Sequence, residues 1–194
     1  MSSKLTTAWT NDASSPFHYR KILVAAIVDY QNDSLRLRLE QEVCNKLSAL
    51  GYYAVASNEE FGPKGLKSLG QEATYLTLCE NGIDAVMTIA LLPARHRVAV
   101  NHRGDNKYTN GLYYDHIWNF HTTQEPLLLP GKLSWELILF DVTRLQPDIV
   151  LQTGLFPEKI AKMKAGTFIE QAIGRMVKEK LLFRTDTTMA RKPF

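Results

Sequence analysis

The residues with the most chemistry in them fall together. His96, His102, His116 and His121, four of the chain's five histidines, share one segment with Arg95, Arg97, Arg103 and Lys107 and with Tyr113, Tyr114 and Trp118. Histidines can hold a metal, but no cysteine and no tight His-x-His pair accompanies these. If 116–121 is a strand, His116 and His121 have opposite parity and point to opposite faces. His96 and His102 stand about 20 Å apart along one strand unless a turn folds them back. No metal site is expected, and exposed or hydrogen-bonded histidines are the simpler reading. The arginines and aromatic rings could instead meet phosphates and stack on bases. Asp105 and Asp115 interrupt that patch, which argues against nucleic acid and for a solvated hairpin with aromatics packed on the body.

Carboxylates supply the remaining candidates. The segment Asp29-Tyr30-Gln31-Asn32-Asp33-Ser34 has no glycine to bring backbone N–H groups onto a phosphate, and its two acids would repel an anion. A dinucleotide or P-loop site is therefore not expected. A cation or polar ligand remains open there, because open α/β sheets bind ligands at the carboxyl ends of their strands. Glu59 and Glu60 are paired in a loop without an obvious partner. Glu136 shares a strand face with Ile138 and Phe140. It reads as a buried acid, an edge cap or the partner of an arginine. No G-x-S-x-G elbow occurs. No residue is assigned a catalytic role and no cofactor is expected. Tyr30, Asp33, Glu59, Arg95, Arg97, Arg103, Tyr113, Tyr114 and Trp118 remain as a candidate ligand or partner surface.

These residues must be positioned by elements that periodicity reveals. Lys21–Val28 is apolar on both faces and reads as a first, central strand covered on both sides. A helix follows from about Ser34 to Leu50, with Leu35, Leu39, Val43, Leu47 and Leu50 at helical spacing and Arg36, Arg38, Glu42 and Lys46 on the other face. Gly51 ends it. Tyr52–Ser57 is a strand and NEEFGPKG a loop. A second helix spans about Leu66 to Glu80, with Leu66, Leu69, Ala73, Leu76 and Cys79 as its stripe. Ile83–Leu92 is the third strand. The stretches ALGYYAVAS and ENGIDAVMT rhyme, which marks a βαβαβ unit with parallel strands.

After it, 93–133 reads as an irregular insertion rich in turn residues. Ser134–Thr143 and Asp148–Leu155 form a hairpin around Leu145-Gln146-Pro147. A last amphipathic helix spans Lys159–Leu182 with Ile160, Met163, Phe168, Ile169, Ala172, Ile173, Met176, Val177 and Leu181 as its stripe. The expected fold is α/β (α+β): a βαβαβ core with a mixed sheet, an irregular insertion, a C-terminal β-hairpin and a final helix. Residues 1–20 form an extended arm anchored by Trp9 and Phe17, 21–183 a single domain, and 184–194 a mobile tail.

Composition narrows the classes. The 194 residues are 45% hydrophobic and 22% charged with a net charge of +3, as in ordinary globular chains. That charge is too small to imply nucleic acid unless concentrated. No run of eighteen apolar residues spans a membrane. The polar start MSSKLTTAWTNDASS has no signal peptide, so either the protein is cytosolic or a targeting segment has been removed. Cys44 and Cys79 lie in helical stripes and read as buried thiols.

Taken together, SSKLTTAWTND, YRKILVAAIVD, LRLRLEQEVCNKLSALGYYAVAS, GIDAVMTIALL, a Tyr-rich insertion, WELILFDVTRLQPDIVLQT and a C-terminal helix resemble the uncharacterised extracytoplasmic domains of bacterial lipoproteins. The resemblance covers nearly the whole chain. It departs at Leu151, where that family often has Trp, and at Met1, which stands in place of the lipid-bearing cysteine. It implies a fold similar to the amino-terminal domain of the Tol–Pal periplasmic propeller protein. It also implies a lipid anchor, a place on the periplasmic face of a bacterial membrane and an envelope component as partner. It transfers no catalytic residue. The expected function is a non-enzymatic binding or scaffolding module. The alternative is a cytosolic α/β domain that binds a small molecule at the strand ends, lined by Tyr30, Glu59 and residues near Pro93.

Overall fold

The computed structural model describes residues 5–10, 19–28, 33–63, 66, 69–93 and 132–183. Seven strands form one mixed sheet: β1 (Thr6–Thr10), β2 (Lys21–Ile27), β3 (Tyr53–Ala56), β4 (Ala85–Pro93), β5 (Lys132–Asp141), β6 (Gln146–Gln152) and the two-residue β7 (Phe156–Pro157). Their order is β1-β6-β5-β4-β2-β3, with β7 also on β5. The helices are α1 (Asp33–Ala49), α2 (Ser57–Phe61), α3 (Gln71–Glu80), α4 (Glu158–Met163) and α5 (Ala165–Lys178). The α/β character and the mixed sheet are as the sequence implies.

β2 pairs in parallel with β3 on one side and β4 on the other, so the βαβαβ unit is present. β2 is not central, however. The sheet grows only on the β4 side, where β5 runs antiparallel along all of β4 and β6 follows. β1 then closes that edge, antiparallel to β6 with a bulge between Thr7 and Trp9. The expected arm is thus an edge strand in part.

Helices cover both faces. Leu39, Val43 and Leu47 of α1 and Phe168, Ile169, Ala172 and Met176 of α5 bury against Ile22, Val24, Met87, Ile89, Trp135, Leu137 and Leu139. On the opposite face, Leu78 of α3 packs on Leu23, Ile138, Phe140 and Val150. Right-handed crossovers leaving β2 and β3 in opposite directions require this. α1 and α5 approach closely enough that a Cβ on Gly166 would lie 3.3 Å from Glu42 Oε1.

Three helices end the same way. Gly51, Gly82 and Lys180 all have φ in the left-handed region (93°, 66° and 59°). The next residue's N–H closes the turn: Tyr52 onto Leu47 O, Ile83 onto Leu78 O and Leu181 onto Met176 O. This is the Schellman arrangement, for which glycine is the unstrained residue.

Four local expectations differ. The buried face of α3 is Thr74 and Leu78, while Leu76 is half-exposed and Cys79 exposed. The helix begins only at Gln71, so Leu66 and Leu69 do not set its phase. NEEF folds as α2 rather than loop. Pro147 lies inside β6, opposite Phe140 at a register shift, the kind of irregularity at which a strand tolerates proline. The final helix breaks at Lys164. The Ala161 carbonyl, which would carry the helix forward, accepts the Trp135 indole N–H at 2.8 Å and the Lys164 N–H at 3.1 Å.

Trp135 is fully buried, stacks on Phe168 at 5.9 Å, and donates its backbone N–H to Thr153 Oγ1 at 3.0 Å. Trp135→Ala is expected to cost about 3–5 kcal/mol, measured by urea unfolding. Lys180→Gly is expected to stabilise by up to about 1 kcal/mol by removing a side chain from a left-handed position, read from the same transition. An unchanged midpoint in the second variant would refute the cap assignment.

Candidate functional site

The parallel strands β2, β3 and β4 all end at one edge of the molecule, and the chain leaves β2 and β3 in opposite directions there. That is the position where open α/β sheets take ligands. A charged cluster stands at this end beside the apolar Ile27, Ala90 and Leu92. Arg36 and Glu40 sit one turn apart on α1 and are both buried, at 8% and 1% exposure. Glu40 accepts the backbone N–H of Ala26 on β2 at 3.1 Å and that of Asn58 in the first turn of α2, also at 3.1 Å. Ala56 offers α2 no side-chain cap. Glu40 therefore caps α2 from a different helix and fastens α1 to β2 in the same contact.

Arg36 completes the cluster with longer contacts. Its Nη2 donates to Asn58 Oδ1 at 3.3 Å and its Nη1 to Pro63 O at 3.4 Å. Its Nε, sealed from solvent, faces the Asp33 carboxylate at 3.5 Å without a hydrogen bond. Burial pushes the Glu40 carboxyl above its ordinary value, and the nearby Glu59 carboxylate adds to that. The two backbone N–H groups and the Arg36 guanidinium oppose it. Burial, with Glu59 and Glu40 behind it, pushes the Cys44 thiol up to about 12. Cys44 is therefore a thiol at neutral pH and no nucleophile.

The structure thus brings together two of the residues singled out from the sequence, Asp33 and Glu59, both exposed, around a buried pair that the sequence reading missed. Arg36 was expected on the solvent face. Its alignment with Glu40, Val43 and Leu47 on one side of α1 was the available signal, masked by its charge. Tyr30, Arg95, Arg97, Arg103, Tyr113, Tyr114 and Trp118 lie outside the described residues, as do the four clustered histidines. Among the described residues no group of three metal-ligating side chains converges.

Two further polar groups are buried in the sheet. Glu136 is buried and accepts Gln152 Nε2 at 2.5 Å across the β5–β6 pair. In the hairpin turn, Arg144 donates Nε to Asp141 at 2.8 Å and Nη2 to the fully buried Asp148 at 2.7 Å. Asp148 also accepts the Tyr19 hydroxyl. That network joins the strand preceding α1 to the C-terminal hairpin.

No family model matches the chain, and no curated protein matches it. Among solved structures it is similar to the PelC dodecamer from Paraburkholderia phytofirmans. The identity is 13% and the TM-score 0.47, over 95% of this chain and 100% of that one. A variant of that dodecamer in another crystal form gives the same score and identity over 94% and 100%. The chain is also similar to lipoprotein GNA1162 from Neisseria meningitidis, at 11% identity and a TM-score of 0.40, over 82% and 99%. Likenesses this low assign neither family nor function.

The Glu40 shift has a direction that can be measured. A carboxyl whose native value is raised stabilises the fold fully below its unfolded value, and that contribution is lost as pH rises through the native value. Glu40→Gln, which cannot ionise, is therefore expected to gain stability relative to the parent as pH rises from about 4.5. Urea midpoints of both chains across that range test this. A difference that stays constant with pH would contradict it.

Proposed function

We propose that this chain is a non-enzymatic module of a bacterial envelope, tethered by a lipid upstream of the sequence, that binds or scaffolds another envelope component. The observation that carries the reading is how the buried polar side chains are used. Glu40 spends its carboxylate on two backbone N–H groups from separate elements. Asp148 and Asp141 spend theirs on Arg144. Gln152 and Glu136 engage each other across two strands. Each group fastens elements together, as in a rigid support for surface loops. The resemblance to lipoprotein domains, running from the N-terminal arm to the last helix, supports the envelope location. No helix among the described residues is long and apolar enough to cross a membrane, so attachment would fall to the lipid.

A second reading has one observation in its favour. β2 lies between β3 and β4 with connections departing to either side, the topology of a ligand crevice. Asp33, Glu59 and Arg36 at that end suit a polar small molecule or a cation better than an anion. In this reading the protein is cytosolic.

Metabolic labelling of the native gene product with a radioactive fatty acid, with cell fractionation, separates the two. Label in the membrane fraction is the expected result, and cross-linking there would then find the partner. An unlabelled cytosolic product would overturn the tethered reading in favour of the small-ligand one.

A further inference from the structure

The sequence reading places Ile160 and Met163 in the buried stripe, yet both face outward: at about 100° per residue they fall away from Ala161, Ala165 and Phe168, which carry the buried face across Lys164. α4 buries Ala161. At about 100° per residue, Met163 and Lys159 fall opposite Ala161, with Ile160 and Lys162 on their flanks. Met163 is 76% exposed and Ile160 43%. Basic groups surround them. Lys132, exposed at the start of β5, is brought alongside by the pairing of β5 with Pro157. Lys164 lies over the Phe156 ring at 5.6 Å. Glu158 is the acid of this helix, and it is paired with Lys162 at 2.8 Å. The face is apolar at its centre and positive around it.

Its place in the fold adds a second, independent observation. Thr6 pairs with Gln152, and Gln152 with Glu136. The chain therefore enters the sheet, through Leu5 and Thr6, at the end where β6 leaves toward β7 and α4.

We propose that this face of α4 rests on an anionic bilayer, with Met163 and Ile160 in the headgroup region and Lys132, Lys159 and Lys164 against lipid phosphates. Shallow insertion of a few apolar side chains within a basic rim is how interfacial helices hold a membrane. The proposal rests on the tethered reading above and gives it an orientation, since an N-terminal lipid would draw this end to the membrane. A second copy fits less well. Two-fold self-contact would set lysines against lysines, and two apolar side chains fall far short of the roughly 800 Å² per partner of a stable protein interface.

The test uses the full chain without an acyl group, floated with vesicles of phosphatidylethanolamine and phosphatidylglycerol or of phosphatidylcholine alone. Flotation with the anionic vesicles only, weakened by salt, is expected. Lys159→Ala and Lys132→Ala should each lower partitioning about fivefold, and Met163→Ser should lower it as well. All three positions are exposed, so thermal unfolding should match the parent. A chain that stays unbound with anionic vesicles at low salt, or variants that float as the parent does, would overturn the proposal. So would a dimer in light scattering that Met163→Ser dissociates, which would give the face to a second copy. Vesicle binding without fatty-acid label in the native product keeps this face and removes the tether. Label without vesicle binding does the reverse.

Discussion

The contact on which most of the later chain depends is the Trp135 indole held against the Ala161 carbonyl. A fully buried indole needs an acceptor for its one N–H, because an unpaired donor in the core costs as much as the bond is worth or more. The acceptor it takes is a helix carbonyl. The same carbonyl accepts the Lys164 N–H, and α4 gives way to α5 at that residue. α5 is left free to lay Phe168, Ile169, Ala172 and Met176 onto the sheet beside α1. α4 is left with Ala161 inward and Ile160 and Met163 outward. One hydrogen bond thus ties the sheet to the last turn of α4, beside the point where α5 begins.

The same economy holds at the other edge of the sheet. Parallel strands end in backbone groups that helices must meet, and a five-residue α2 cannot cap itself from Ala56. Glu40 reaches from α1 to do it while also taking the Ala26 N–H. Burying that carboxylate is unfavourable, which is why its pKa is raised. Arg36 accompanies it to offset part of the charge. The weak geometry of the arginine, with no contact shorter than 3.3 Å among those it makes here, fits a compensating charge better than a ligand clamp.

Much of the fold was legible because its signals are local. The rhyme of ALGYYAVAS with ENGIDAVMT marks two helix ends and two parallel strands, and Gly51 and Gly82 hold the left-handed conformations that rhyme implies. What was not legible depends on partners distant in sequence. No property of KILVAAIVD says that four strands will lie on one side of it and one on the other. Pro147 reads as a loop residue until Phe140 is known to stand opposite it at a bulge. Arg36 reads as a surface charge until Asn58 Oδ1 and the Pro63 carbonyl are known to accept from it and Glu40 to lie buried beside it. Ile160 and Met163 read as part of the buried stripe because they are apolar, but at about 100° per residue they fall away from Ala161, Ala165, Phe168 and Ala172, the residues that are buried.

That last discrepancy bears on function more than the charged cluster does. The Glu40 carboxylate closes on two backbone N–H groups and Arg36 offsets its charge, so the cluster has a structural account. An apolar pair that the helix presents amid lysines, away from its buried face, is not accounted for by folding. Met163, at 76% exposure, contributes little to the core. The end of the sheet on which they stand is also the end where β1 begins. A module attached through its N-terminus would meet its membrane with this end first, so the residues that the core does not need lie where a bilayer would reach them.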